Sequence, residues 1–247
     1  MSRAFEIDKQ IEVAAAPEQV WDAITTGRGM DGWFMGTSDV QPGEGGTVRT
    51  VHPGFTMEST VTTWDPPNRF AHRSEPAEDG AFHAFDYVLD DRGTDATVIR
   101  WRHTGLLTGD WEAEYAAMNE GDPMYLHKLA QYVTYFFGRP ATPVDAFGPN
   151  VPDRDHVWAV LHRALGVEDP VSLDDRVRLT PSGLPVIEGV VDYLSSPFLG
   201  VRTDDALYRF IHGFEGTVMV GHHLFSGDVD RAKAEGEWSS WLHGVFE

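Results

Sequence analysis

The 247-residue sequence contains no cysteine, so disulfide bonds and thiolate chemistry are excluded. It also lacks any run of about 18 apolar residues, which a membrane-spanning helix would need. Glu6 lies where a secretory signal peptide would have its apolar segment. We therefore expect a cytoplasmic protein with no membrane span. Arginine outnumbers lysine, as is typical of proteins from GC-rich bacterial genomes.

Positive charge is scarce: 19 lysine and arginine residues stand against 39 aspartate and glutamate residues, which gives a net charge of −20 at pH 7. An electrostatic field of this sign repels nucleic-acid phosphates and anionic membrane surfaces. We therefore expect no nucleic-acid partner. Aromatic residues are abundant, with 8 tryptophans and 14 phenylalanines, and this composition suits a bulky core or the walls of a cavity.

The first half of the sequence predicts strands followed by a long helix. Apolar and polar residues alternate over residues 5–15, as in a half-buried strand. A short amphipathic helix follows Pro17, and a long helix is predicted over residues 123–137. Further strands are predicted over residues 47–51, 57–64, 69–74, 82–89 and 97–104. These elements indicate an α+β fold in which the long helix covers one face of a curved antiparallel sheet.

The second half repeats the first in the same order. Residues 54–64 align without gaps to residues 183–193. Further matches follow that order: Val20-Trp21 with Val157-Trp158, Thr97-Val98 with Thr217-Val218, His103 with His223, and Gly109-Asp110 with Gly227-Asp228. Ordered matches of this kind predict a tandem duplication. The predicted domains are residues 1–140 and 151–247, with a linker over 141–150 in which residues 144–147 also suit a brief first strand.

The second copy is predicted to be shortened. It has no counterpart of Trp33 and Phe34, and its last helix, over residues 237–246, is short. A short helix covers less of a sheet, and an exposed apolar sheet face has to be covered. We therefore expect this copy to dock against protein, either the first domain or a second subunit in a homodimer, instead of enclosing a ligand.

Several segments of the first half resemble a known superfamily. They are Ala16-Pro17-Glu18-Gln19-Val20-Trp21-Asp22-Ala23-Ile24, Trp33-Phe34, Gly45-Gly46-Thr47-Val48-Arg49, Asp65-Pro66-Pro67-Asn68-Arg69-Phe70, residues 97–105, and residues 121–126 with Pro123 where tryptophan is usual. Residues 5–137 are thereby similar to the SRPBCC superfamily of START and birch-pollen-allergen-like domains, in its heat-shock-protein-90 ATPase-activator-like branch. Residues 151–246 resemble it faintly.

The resemblance implies a helix-grip fold, in which the curved antiparallel sheet wraps around the long C-terminal helix and encloses a deep hydrophobic cavity. It implies no fixed chemistry. Members of the superfamily bind lipids, hormones or polyketides, some cyclise or hydrolyse them, and some act on partner proteins. Function therefore has to be argued from the residues that would line the cavity.

Alternation in two neighbouring strands predicts which side chains point inward. Arg100 and Arg102 are readily solvated, so the opposite face of their strand should be internal. Asp86 supports the same argument for the preceding strand. With the Trp33 region and the final helix added, the predicted ligand-binding residues are Trp33, Phe34, Phe85, Tyr87, Ile99, Trp101, His103, Met118, Tyr125 and Leu129. Ligand pockets are mostly apolar with a few such polar groups.

His83, Tyr87 and His103 are the weak candidates for catalysis on this face. A neutral imidazole transfers protons near neutral pH, and a tyrosine hydroxyl donates to a developing oxyanion. The alternative is that each is a core residue with one local hydrogen-bond partner. His222 and His223 are adjacent and point to opposite faces of a strand, so we expect no metal site, and no motif in the sequence calls for a cofactor.

Three functions remain open at this point. Our first expectation is that the cavity of the first domain binds a hydrophobic small molecule. One alternative is a cyclase, dehydratase or hydrolase that uses the same cavity. The other is a protein-interaction factor, similar to a co-chaperone, that acts through its surface.

Overall fold

The computed structural model describes residues 2–52, 54–93, 95–168 and 170–247. The chain divides into two compact units, one ending at Pro140 and the other running from Ala141 to Glu247. Each unit contains its own antiparallel sheet. Among the described residues, no helix is both long and apolar enough to cross a membrane.

Seven strands form the sheet of the first unit. They are β1 Arg3–Val13, β2 Thr37–Val40, β3 Thr47–His52, β4 Phe55–Asp65, β5 Arg69–Ser74, β6 Phe82–Asp91 and β7 Thr97–Leu107. Their order in the sheet is β1-β7-β6-β5-β4-β3-β2, and all neighbours are antiparallel. The first strand therefore pairs with the last, and β6 and β7 lie side by side near one end of the sheet.

The helices of this unit are α1 Pro17–Thr25, α2 Gly27–Met30 and α3 Trp111–Gln131, and α3 continues as a π-helical segment over Tyr132–Phe136. Pro17 lies in the first turn of α1, where its missing N–H loses no helical hydrogen bond. The Thr26 hydroxyl caps α2 by accepting a hydrogen bond from the Gly29 amide. Gly32 lets the following loop approach the final helix, because a Cβ at this position would lie 2.4 Å from the Tyr132 ring.

The long helix begins earlier than the sequence predicts. It starts at Trp111 instead of Pro123, and Pro123 lies in its interior. An interior proline costs about 3 kcal/mol. The added turns bury apolar side chains, because Trp111, Tyr115 and Met118 pack against a cluster on β1 and β7. These three side chains are partly buried, and their packing offsets part of the local cost.

The second unit is a smaller version of the first. Its strands are β8 Thr142–Asn150, β9 Arg176–Leu179, β10 Ile187–Ser195, β11 Phe198–Arg202, β12 Ala206–His212 and β13 Thr217–Leu224, and its helices are α4 Arg154–Leu165 and α5 Arg231–Val245. The order β8-β13-β12-β11-β10-β9 is that of the first sheet without β2. The final helix has 15 residues, compared with 21 in α3. The predicted helix-grip fold, repeated in a shortened second copy, is confirmed.

Residues 142–150 of the predicted linker form β8 at the edge of the second sheet, in keeping with the alternative of a brief first strand over residues 144–147. Pro143 and Pro149 were the signals for a linker. An edge strand tolerates proline, because one side of its backbone needs no partner in the sheet. Val144 and Ala146 are buried in the core of this unit, which explains why the segment is a strand.

β4 and β10 each contain a β-bulge, and matching the two bulges aligns the repeats one residue away from the gapless alignment of residues 54–64 with 183–193. Val61 pairs with His72 immediately before the bulge in β4, and Val191 pairs with Val201 immediately before the bulge in β10. Both valines are buried, with 2% and 0% exposure. Val191, and not Val190 as aligned, is therefore equivalent to Val61. A slip of one residue reverses the face of every side chain in a strand, so burial decides the register.

Candidate functional site

The inward faces predicted for β6 and β7 are confirmed. Ile99, Trp101 and His103 are 0–4% exposed, while the side chains of Arg100 and Arg102 on the other face are 54% and 53% exposed. The register places Phe85 opposite His103 and Tyr87 opposite Trp101. Both rows of side chains therefore form one continuous inner surface.

Four predicted residues form an aromatic cluster on this surface. The Trp101 ring lies 5.8 Å from Trp33, 5.3 Å from Tyr87 and 6.0 Å from Phe85, measured between ring centroids. The indole N–H of Trp33 donates to the Ala23 carbonyl of α1 at 2.9 Å, which fixes this ring. The loop after α2 is thereby held against the middle of the sheet.

Phe34 and Tyr125 extend the cluster toward the final helix. Their ring centroids are 5.1 Å apart, and Phe34 lies 5.4 Å from Trp33. The Tyr125 hydroxyl donates to the Met35 sulfur at 2.8 Å. The structure thus brings these two predicted residues together with the Trp101 cluster.

The other predicted residues lie elsewhere in the unit. Met118 packs against Phe5, Ile7 and Leu107 at the β1 end of the sheet. Ile99 is opposite Leu89 of β6 and fully buried. Leu129 is fully buried in α3.

His83 and His103 belong to a chain of hydrogen bonds that reaches α3. His83 Nδ1 lies 3.0 Å from His103 Nε2, and His103 Nδ1 lies 2.9 Å from Asp122 Oδ2. The His103 ring stacks on Phe85 at 4.1 Å, and His103 and Asp122 are 4% and 7% exposed. At the other end, His83 Nε2 lies 3.8 Å from Glu114 Oε1, where both side chains are partly exposed. The chain runs from the interior toward the surface.

Burial shifts the pKa values of both groups at the outer end of this chain, His83 and Glu114. Burial, followed by the neighbouring His103, lowers the pKa of His83 to about 4, against a smaller opposing effect of Asp122. Burial, followed by the charge of Asp79, raises the pKa of Glu114. His83 is therefore neutral at physiological pH, the form in which an imidazole accepts a proton.

His72 of β5 adds a second buried imidazole to the inner surface. Its ring stacks on Phe85 at 5.2 Å and on Tyr87 at 6.3 Å. Burial is the main cause that lowers the pKa of His72 to about 3, and burial also raises the pKa of Tyr87 well above its usual value. His72 Nδ1 and Trp101 Nε1 are buried, and neither has a hydrogen-bond partner within the described part of the chain.

Sequence reasoning missed Asp122, Glu114 and His72. Asp122 precedes Leu126 and Leu129 by one and two helical turns, so it continues the apolar stripe of the helix. The helix predicted from the sequence begins at Pro123, so Asp122 lies outside it. Glu114 lies in the same unpredicted part of α3. His72 lies two residues after buried Phe70 on β5, which period-two alternation would have revealed.

No group of three or more histidine, aspartate or glutamate side chains suited to a metal ion occurs among residues 2–52, 54–93, 95–168 and 170–247. His222 and His223 are both fully buried. His222 Nδ1 accepts a hydrogen bond from the Arg209 amide at 3.0 Å, and its ring packs on Trp238 at 4.6 Å. These contacts assign His222 a role in the core of the second unit.

The second unit has a cleft of its own, beside the first turns of α5. It has a volume of about 390 Å³ and is lined by both apolar and charged side chains, among them Leu184, Tyr208, Asp228, Lys233 and Trp238. Deeper between sheet and helix, the rings of Phe210, Trp238 and Trp241 pack at 5.5–6.5 Å from one another. The interior that corresponds to the first unit's aromatic surface is therefore filled by side chains.

Comparison with solved structures finds similar folds at low sequence identity. The Aha1 dimer from Colwellia psychrerythraea is 22% identical with a TM-score of 0.43, and the alignment covers 52% of this chain and 96% of that one. A protein from Mesorhizobium loti is 21% identical with a TM-score of 0.45, covering 52% and 95%. The di-domain ARO/CYC protein BexL is 13% identical with a TM-score of 0.49, covering 94% of this chain and 88% of that one.

A search of curated proteins finds no significant match. The family model described as "Activator of Hsp90 ATPase homolog 1-like protein" matches residues 14–134. These residues run from the end of β1 to the π-helical segment, and they include the aromatic cluster and the His83–His103–Asp122 chain. Over just under half of the chain, the first domain is therefore similar to the activator of Hsp90 ATPase homolog 1-like family.

Proposed function

We propose that the first domain binds an uncharged, flat, partly oxygenated apolar molecule against its inner aromatic surface. The observation that carries this proposal is the pair of buried polar atoms without a partner, Trp101 Nε1 and His72 Nδ1. Nearly all buried polar groups in folded proteins are hydrogen-bonded, and each group left without a partner costs about 1–3 kcal/mol. A ligand oxygen in reach of the Trp101 N–H would remove that cost.

The surroundings of these two atoms support the same ligand class. The rings of His72 and Trp101 both contact Phe85 and Tyr87, so the polar atoms lie among aromatic faces that suit a flat molecule. His72 is neutral at physiological pH and thus brings no charge to this surface. The net charge of −20 disfavours an anionic ligand.

The first prediction concerns the Trp101 N–H. Trp101→Phe keeps an aromatic ring and removes the donor, so we expect it to weaken binding of the neutral, carbonyl-bearing dye Nile red by about tenfold, as the loss of one hydrogen bond implies. Fluorescence titration of purified protein measures this affinity. Arg100→Ala, on the outer face of the same strand, is the control and should leave the affinity unchanged. Failure of the native protein to bind the dye, or equal effects of both substitutions, would contradict the proposal.

The family match favours one further candidate, a co-chaperone role through the protein surface. Addition of the protein to a purified bacterial heat-shock protein 90 would then raise the rate of ATP hydrolysis. A raised rate together with no dye binding would replace the small-molecule proposal by this one. Dye binding with no effect on hydrolysis would retain the first proposal.

A further inference from the structure

The hydrogen-bonded chain from Asp122 through His103 to His83 has the geometry of a proton relay. Its two inner links are 2.9 Å and 3.0 Å long, and the outer distance between His83 Nε2 and Glu114 is 3.8 Å. Packing holds the inner imidazole in place, because the His103 ring stacks on Phe85 and contacts Phe5 edge-on at 5.0 Å. A side chain held in this way keeps its nitrogen atoms pointed at fixed partners.

The chain also determines which nitrogen atoms carry protons. An ionised carboxylate only accepts hydrogen bonds, so His103 donates to Asp122 through Nδ1–H. In the neutral ring, His103 Nε2 is then an acceptor, and it requires a donor at His83 Nδ1. The lone pair of His83 therefore lies on Nε2, which faces Glu114 and the partly exposed end of the chain.

We propose that His83 Nε2 is the general base of an acid–base catalytic site, with His103 and Asp122 as positioning residues, and that its substrate is an uncharged aromatic ketone. This inference rests on the proposed function, because the ketone is a flat, partly oxygenated ligand of the class assigned above. The carbon next to the carbonyl carries the weakly acidic C–H bond that an imidazole attacks.

The proposed step is a proton transfer that needs no further reactant. The C–H bond breaks, its electron pair forms the C=C bond of the enolate, and the carbonyl electron pair moves to oxygen. His83 Nε2 takes the proton. The Nδ1–H of His83 donates to His103, whose own Nδ1–H donates to Asp122, and these two hydrogen bonds orient His83 and stabilise its positive charge. Return of a proton by the same path regenerates the ketone and the base.

The test follows exchange of the acidic protons of 2-tetralone, an uncharged aromatic ketone, in deuterated buffer by proton NMR. The full-length protein should accelerate exchange above the rate in buffer, and His83→Gln should lower that acceleration by about 100-fold, the usual contribution of a general base. His156→Gln, at an exposed position of α4, is the matched control and should exchange like the native protein. Exchange at the buffer rate in the native protein, or full activity in His83→Gln, would overturn the inference.

Binding is measured in the same samples through broadening of the 2-tetralone signals. Binding without accelerated exchange would overturn the catalytic inference and leave the binding function standing. Neither broadening nor exchange, together with no binding of Nile red, would remove the proposed function as well.

The positioning role has its own measurement, which does not depend on activity. Nitrogen-15 spectra of histidine-labelled protein should show His83 and His103 protonated at Nδ1 in the native protein. Asp122→Leu removes the acceptor of the His103 Nδ1–H. The proton of His103 should then move to Nε2 and donate to His83 Nδ1. The proton of His83 would in turn lie on Nε2, where it blocks the base. Unchanged tautomers in folded Asp122→Leu would overturn the relay. His83 is partly exposed, so we expect His83→Gln to fold. This variant therefore tests the base even if Asp122→Leu does not fold.

Discussion

His72 links packing to proton binding at the scale of a single residue. Its ring is stacked between aromatic neighbours, and burial lowers its pKa to about 3 from an ordinary value of 6.5. Between these two values the unfolded chain binds a proton that the folded protein does not. The effect of His72 is therefore to lower the free energy of unfolding as the pH drops from 6.5 through this window.

His72→Phe retains the ring and removes the titration. We expect the decrease in melting temperature from about pH 7 to about pH 5 to be smaller in His72→Phe than in the native protein. A residual decrease should remain, because the pKa of His83 is also lowered, to about 4. Thermal scans followed by tryptophan fluorescence measure the effect, with His156→Gln as the control. Parallel pH profiles of His72→Phe and the native protein would show that His72 does not destabilise the fold at low pH.

At the scale of elements, a buried ion pair joins two strands that are not neighbours. The Arg209 and Asp192 side chains are 0% and 4% exposed, and Arg209 Nη1 donates to Asp192 Oδ1 at 3.0 Å. Asp192 lies at the bulge of β10, and Arg209 is on β12 opposite Gly200 of the intervening strand. A Cβ at Gly200 would lie 2.9 Å from Arg209 Nη1, so the glycine leaves the path across β11 open.

Removal of one partner should leave an uncompensated buried charge. We expect Asp192→Asn to lower the free energy of unfolding by about 3–5 kcal/mol, as measured by urea denaturation. The exposed pair of Arg178 and Glu188, whose side chains are 61% and 70% exposed, provides the control. Glu188→Gln should cost less than about 1 kcal/mol. Similar losses in the two variants would contradict the role assigned to burial.

The sequence predicts the elements of this protein better than their ends. Period-two alternation placed Trp101 and His103 on the inner face, because strand geometry is local. The start of α3 depends on contacts of Tyr115 and Met118 with distant strands, and Pro123 suggested a later start. The hydrogen bond between His83 and His103 depends on the register of two strands, and the bond to Asp122 depends on the docking of α3. Such contacts cannot be read from local patterns.

At the scale of the whole molecule, the protein has 39 acidic and only 19 basic residues. Repulsion among the excess negative charges opposes the compact folded state. Salt screens this repulsion. We expect the melting temperature to rise when sodium chloride is increased from about 0.05 M to about 0.5 M. Potassium chloride should act in the same way, because screening depends on ionic strength and not on the identity of the cation. A melting temperature that falls with salt would mean that attractive ion pairs dominate instead.

The strand that the second sheet lacks has a consequence for association. Without a counterpart of β2, β9 becomes the edge of that sheet, and an open edge invites pairing with strands of other molecules. β9 is only four residues long, and Arg176 and Arg178 are both exposed on it. Short length and charge are two of the ways in which proteins protect sheet edges from aggregation. The short length of β9 and its two arginines thus oppose pairing of this edge with a strand of another chain.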